Sequence, residues 1–177
     1  SDMSDSLRDG LTIWSIGALI ATPGGEQAGE WIFSKLKGGA VEFSGFPLSK
    51  WTTIGLKNAV GRTRPDGTDD SRFPSAHATS AFSPSRLASL NLEVIEIPRT
   101  AGTILSWTGT GAAAGVAWAR VEAGKHYPSD VLAGAALANF ITVFIYRSFM
   151  GLPEDDIPAI SVAPSEDGIQ ARFYKSF

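Results

Sequence analysis

The chain has 177 residues, 44% hydrophobic and 19% charged, with a formal net charge of −3 and no Cys. This is the composition of a folded chain of one-domain size, and it carries neither the basic excess nor the Lys/Arg block that would point to nucleic acid. The absence of Cys removes disulfides, Cys-ligated zinc and thiol catalysis, and it leaves only His77 and His126 for imidazole chemistry.

The opening Ser1–Asp5 is polar and has no basic segment followed by an apolar core. No signal peptide is therefore read in this chain, although a mature product of cleavage is compatible with it. Leu11–Thr22 is a short apolar helix stopped by Pro23-Gly24-Gly25. Glu26–Leu36 reads as an amphipathic helix on Ala28, Trp31, Ile32 and Leu36, ending at Gly38-Gly39. Pro47 suits the first turn of a further helix running to Val60, with Gly61 as its C-terminal cap.

A polar loop, Arg62–Arg72, follows, and the next helix starts near Pro74-Ser75 and runs towards Leu92 with a kink at Pro84. Leu92–Ile97 alternates like a strand but equally suits a helix end or connector, closed by Pro98. Helices at roughly 101–119 and 128–148 complete the set. Ala101–Ala119 is uncharged but holds four Gly and three Thr, and Val131–Tyr146 has only 16 residues. Both are read as helices buried inside a bundle rather than as membrane spans, which need about 20 apolar residues. The expected fold is all-α, a bundle of five or six helices over residues 1–152. Residues 153–177 form an extended C-terminal arm, for which a β-hairpin packed on the bundle is one form, with its turn near Pro164–Gly168.

Chemistry concentrates in three places. Lys57 and Arg64 stand seven apart across a helix end; Phe73-Pro74-Ser75-Ala76-His77 lies at a helix N-terminus; and Ala119-Arg120 is followed by His126 and Asp130 around Pro128. Three cations and two helix N-termini are the parts of an oxyanion site, because guanidinium forks hold tetrahedral oxygens and free backbone N–H groups complete the cradle. Two His and a carboxylate add a nucleophile, an orienting group and a proton donor. Taken singly, each feature has a plainer reading: helix-end cations complement the macrodipole, and Asp130 suits any first helical turn. Arg62, Arg72 and Lys125 beside the motifs suit solvated loop charge or substrate steering. No P-loop glycine pattern and no metal-ligand spacing is present.

The series Lys-x6-Arg-Pro, Pro-Ser-x-His and Arg-x5-His-x3-Asp over residues 57–130 resembles the type 2 phosphatidic acid phosphatase superfamily. That superfamily includes bacterial class A acid phosphatases, lipid phosphatases, glucose-6-phosphatase and vanadium haloperoxidases. The linkage Arg64–His77 is similar to that of its small bacterial members. The resemblance implies an all-helical core and catalytic roles for His126 as nucleophile, Asp130 as its orienting carboxylate and His77 as general acid. It implies phosphate contacts from Lys57, Arg64, Ser75, Ala76 and Arg120, with no metal and no cofactor. Ala76 stands where the pattern usually has Gly, and Ala119 where it usually has Ser.

The implied activity is a metal-independent phosphatase acting on phosphomonoesters, with lipid phosphates or diphosphates among the substrates, through a phosphohistidine. The alternatives are a vanadium-dependent haloperoxidase, in which vanadate is a cofactor instead of an inhibitor, a non-catalytic phosphate- or lipid-binding module, and an integral membrane lipid phosphatase. The implied partner is a phosphorylated small molecule or lipid, with peripheral membrane contact, in a periplasmic or other extracytoplasmic compartment. Trp14, Phe43, Phe46 and Trp51 are read either as a lipid-facing mouth or as core.

Overall fold

The computed structural model describes residues 2–60, 73–150, 159–165 and 168–174; for Asp2, Phe46 and the last two segments it describes the backbone alone. Among the described residues there are five helices: α1 (Asp2–Ala21), α2 (Ala28–Val60), α3 (Ala76–Glu93), α4 (Arg99–Glu122) and α5 (Pro128–Met150). Two strands, β1 (Ala159–Ser165) and β2 (Gly168–Tyr174), pair antiparallel with Ala159 opposite Tyr174 and Ser165 opposite Gly168. The class is the all-α bundle that the helical periodicity predicts.

The largest difference from the sequence reading is α2. Gly38-Gly39 does not end a helix and Pro47 does not begin one; both lie inside a continuous helix of 33 residues. A β-carbon on Gly38 would run into the Leu19 side chain of α1, so this glycine serves close helix approach instead of chain termination. Pro47 removes one ladder hydrogen bond, yet α2 is anchored on both sides of it. Val41 packs into a core cluster with Leu87, Leu90, Ile141, Ile145 and Tyr146, and beyond Pro47 the Ser49 and Thr53 side chains are buried. Tertiary packing overrides the local stop signals. The predicted cap Gly61 and the Arg62–Arg72 loop lie outside the described residues.

The other helices depart less. α1 begins before Leu11, and Leu92–Ile97 proves to be a helix end and connector. α3 stops at Glu93, where the Val94 N–H donates to the carbonyls of Asn91 and Leu92. α4 closes through a glycine cap: Gly124 has φ +65, its N–H donates to the Val121 carbonyl at 2.9 Å, and the Lys125 N–H reaches the Arg120 carbonyl at 3.1 Å. That pairing satisfies the last carbonyls and turns the chain back towards α5.

α3 is the hub, in contact with each of the other four helices. Its face is small and buried, with Ala78, Ala81, Ala88 and Ser83 among the enclosed residues, so neighbours approach closely from all sides. The outer helices are correspondingly half-covered. This corrects the reading of the two uncharged segments as buried helices: α4 buries only Gly109, Ala113, Val116 and Ala117, and α5 leaves Leu132, Phe140 and Phe144 exposed. Among the described residues α5 is the one helix long and apolar enough to cross a membrane, with 23 residues and a mean hydropathy of 1.5 over its best 18-residue window.

Gly134 sets the distance between α3 and α5. A β-carbon there would lie 2.6 Å from the Ser75 carbonyl oxygen and 3.1 Å from the Ala78 β-carbon, so backbone would have to move. Gly134→Ala should cost about 1–3 kcal/mol, the usual range for forcing a methyl into a packed site. The check is thermal unfolding beside Gly55→Ala, where nothing lies within 4 Å and no loss is expected.

Candidate active site

Five helix ends meet at one pole of the bundle: the N-termini of α1, α3 and α5 and the C-termini of α2 and α4. The link between the two His-bearing motifs is backbone. The Ser75 N–H donates to the Asp130 carbonyl at 2.9 Å, tying the start of α3 to the first turn of α5. Ser75 is fully buried and caps α3, its hydroxyl accepting from the Ala78 N–H at 3.4 Å. Its own N–H is thereby committed to Asp130 in this conformation. Ala76 is the first helical residue and is exposed, so the α3 N-terminus opens at Ala76 and His77.

His126 and Asp130 form a buried pair, with side chains 3% and 0% exposed and Nδ1 3.7 Å from Oδ2. The same Asp130 oxygen accepts from the Tyr127 N–H at 2.8 Å, which holds the carboxylate against the turn that carries His126. The His126 N–H in turn donates to the Arg120 carbonyl at 3.2 Å, so the α4 terminus and the imidazole are set by one short connection. Arg120 stands in the last turn of α4, and its Nε is buried with no hydrogen-bond partner among the described residues.

His77 is half-buried and lines a cavity of about 830 Å³ between α2 and α3, together with Lys57, Arg8, Ala76, Trp51 and Ile54. Burial lowers its pKa below 6.5, and Arg120, Arg8 and Lys57 lower it further, against the opposing effect of Asp5. Asp5 Oδ1 lies 3.7 Å from His77 Nε2 and 3.2 Å from Arg8 Nη1. Lys57, Ala76 and His77 thus share one cavity; His126, Asp130 and Ser75 form the buried layer at the same pole and do not line it. Arg64 lies outside the described residues. Among those residues no cluster of three His, Asp or Glu side chains could hold a metal.

Asp5 and Arg8 have no motif and were invisible in the sequence, because only the docking of α1 on α3 brings them to His77. Gly134 and Gly124 carried a weak signal, as a lone Gly inside a helical pattern and a Gly just past one. Of the aromatic residues considered for a mouth, Trp51 and Phe43 are exposed and Trp51 lines the His77 cavity. Trp14 lines a separate cavity between α1 and α4.

The family model of the PAP2 superfamily matches residues 43–153, more than half of the chain. The chain belongs to that superfamily. No curated protein and no solved structure matches it. Membership carries phosphatase-type hydrolysis at the coarse level, and the matched span covers the end of α2 through α5, including every motif residue described above.

The charge pattern around His77 can be read directly. Its imidazole should titrate below 6.5 in an NMR pH series. Asp5→Asn, removing the one acid that supports the cation, should move the midpoint lower, and Arg8→Gln should move it higher. Midpoints unaffected by both substitutions would remove α1 from the site's electrostatics.

Proposed function

We propose that the chain is a metal-independent phosphatase that cleaves phosphate monoesters, with lipid phosphates as its substrate class, through a phosphohistidine on His126. The observation that carries this reading is the buried His126–Asp130 pair held at the α5 N-terminus beside the cationic pole of Lys57, Arg120 and the α3 N-terminus. With Nδ1 facing Asp130, Nε2 is the attacking nitrogen, and the carboxylate stabilises the cation that forms as the N–P bond is made.

The ester P–O bond breaks as His77 gives its proton to the leaving alkoxide. Water then attacks phosphorus, His77 takes back a proton, the N–P bond breaks and inorganic phosphate leaves. Lys57 and Arg120 oppose the charge that spreads over the equatorial oxygens, with Arg64 as a third clamp on the motif's pattern. The lowered His77 pKa means that the acid form is populated at acidic pH, so the leaving-group step should be favoured as pH falls.

Two features favour a lipid ester over a soluble one. The cavity at His77 is lined by Arg8 and Lys57 together with Trp51, Ile54 and Pro47, so it offers both cationic and apolar surface to a charged head with an apolar tail. Large apolar side chains are exposed on every outer helix, among them Ile13, Phe43, Ile104, Leu132 and Phe140, and such extended patches mark membrane or protein contact.

His126→Ala should abolish turnover with the fold retained, and acid quench of wild-type enzyme on ³²P-labelled substrate should trap phosphate on protein. Asp130→Asn should lower kcat on the order of 10²–10⁴-fold, since an amide carries no negative charge to stabilise the imidazolium and can set the wrong tautomer. No trapped phosphate, with activity intact in His126→Ala, overturns the covalent route. Phosphatidic acid in vesicles should be turned over faster than a short soluble ester, and Trp51→Ala should narrow that preference.

His77→Ala should harm alkyl phosphates far more than an activated aryl phosphate, whose phenolate leaves without a proton. Vanadate, which adopts the geometry of the transferring phosphoryl group, should inhibit reversibly, and Arg120→Ala should relieve that inhibition. The same vanadate-loaded protein given peroxide and halide tests the haloperoxidase alternative. Equal losses on both ester types would reject His77 as the acid.

A further inference from the structure

At the pole opposite His77, 16 residues or about 24 Å along α3, a second cavity of about 690 Å³ opens between α3, α4 and α5. Three arginines from three helices line it: Arg86, Arg99 and Arg147. Glu93 is the one carboxylate among the lining residues, and it lies 3.7 Å from Arg86. Arg86 and Arg147 are partly exposed and Arg99 is exposed, so three guanidinium groups stand at this cavity against a single lining carboxylate.

The α4 N-terminus adds to this charge. Its cap is Pro98, which supplies no side-chain hydrogen bond, and its first turn holds no acid. The first backbone bond of the helix runs from the Gly102 N–H to the Pro98 carbonyl, which leaves the preceding N–H groups without a helical acceptor. Arg99 sits at that same terminus, against the macrodipole, which ordinarily disfavours a cation there. An anion in the cavity would meet guanidinium groups from three helices and offset the cation at the α4 N-terminus.

We propose that this cavity is a second oxyanion site, separate from the catalytic pole, that binds a phosphate group. Arginine forks and open helix N–H groups recognise phosphate oxygens whether these belong to free phosphate or to a phospholipid headgroup. The exposed Trp107 on the cavity wall provides apolar surface beside the charge.

The test uses the full chain and two probes: inorganic phosphate in equilibrium dialysis, and phosphatidylcholine vesicles with or without phosphatidylglycerol. The variant is Arg99→Gln with Arg147→Gln, which leaves the Arg86–Glu93 pair in place. Wild type should bind one phosphate beyond the one lost in Lys57→Ala. The double variant should weaken that extra site, or the extra binding to anionic vesicles, by about tenfold or more, with hydrolysis of a soluble ester unchanged. Loss with free phosphate names a soluble ligand, and loss with anionic vesicles alone names a headgroup; either supports the site. A double variant that binds both probes as wild type does overturns it. Arg99→Lys with Arg147→Lys should restore part of the affinity, as a charge site requires and a merely structural role does not. The catalytic reading is judged in the Lys57→Ala arm, so either can fail alone.

Discussion

The hydrogen bond from the Ser75 N–H to the Asp130 carbonyl organises the catalytic pole. It joins two helix N-termini that are far apart in the chain, at 2.9 Å, in a place from which water is excluded. The bond forms only because Gly134 lets α5 lie against the Ser75 carbonyl, where any β-carbon would collide. Thr79 adds to the seam, its hydroxyl lying 3.0 Å from the Ser75 carbonyl and 3.3 Å from that of Gly134. The start of α3 carries His77 and the start of α5 carries Asp130, so this one docking sets the relative position of both chemical groups. A small shift would separate them, and catalytic geometry tolerates little displacement.

The two His occupy different electrical surroundings because of where the helices end. His126 is enclosed, with the Asp130 carboxylate as its near neighbour, an environment that favours a fixed tautomer and an oriented ring. His77 stands half-open among Arg120, Arg8 and Lys57, which disfavour its cation. Environments that differ in this way push the proton affinities of two chemically identical side chains apart. Converging C-termini of α2 and α4 put Lys57 and Arg120 in last turns, where the macrodipole tolerates them while their heads stay at the pole.

A central helix of small residues has a consequence for the outside. Since α3 takes contacts from all four neighbours, each outer helix buries one face and leaves large apolar residues exposed on the other. Ala113, Val116 and Ala117 of α4 face in while Ile104, Trp107 and Trp118 face out. The bundle therefore has an apolar waist between two charged poles, one with the His pair and one with the three arginines. Apolar residues thus lie both in the core and on the outer faces, more exposed apolar surface than near-even hydropathy alone suggests.

Much of this was legible in the sequence. Helical periodicity, a helix start near Pro74-Ser75, Pro128 as a first-turn residue and the ordered spacing of Lys57, Ser75-Ala76-His77, Arg120, His126 and Asp130 are local or pattern information, and they led to the all-α class and the superfamily. Local signals failed where distant residues decided: Gly38-Gly39 and Pro47 read as breaks, but packing of Val41 and Thr53 on the neighbouring helices carries α2 through them. Asp5 and Arg8 join His77, and Arg86, Arg99 and Arg147 join one another, only through helix docking. A sequence determines which residue types are available and how each turn begins and ends. Which of them share an electric field depends on contacts between segments remote in the chain, and only the tertiary structure decides those.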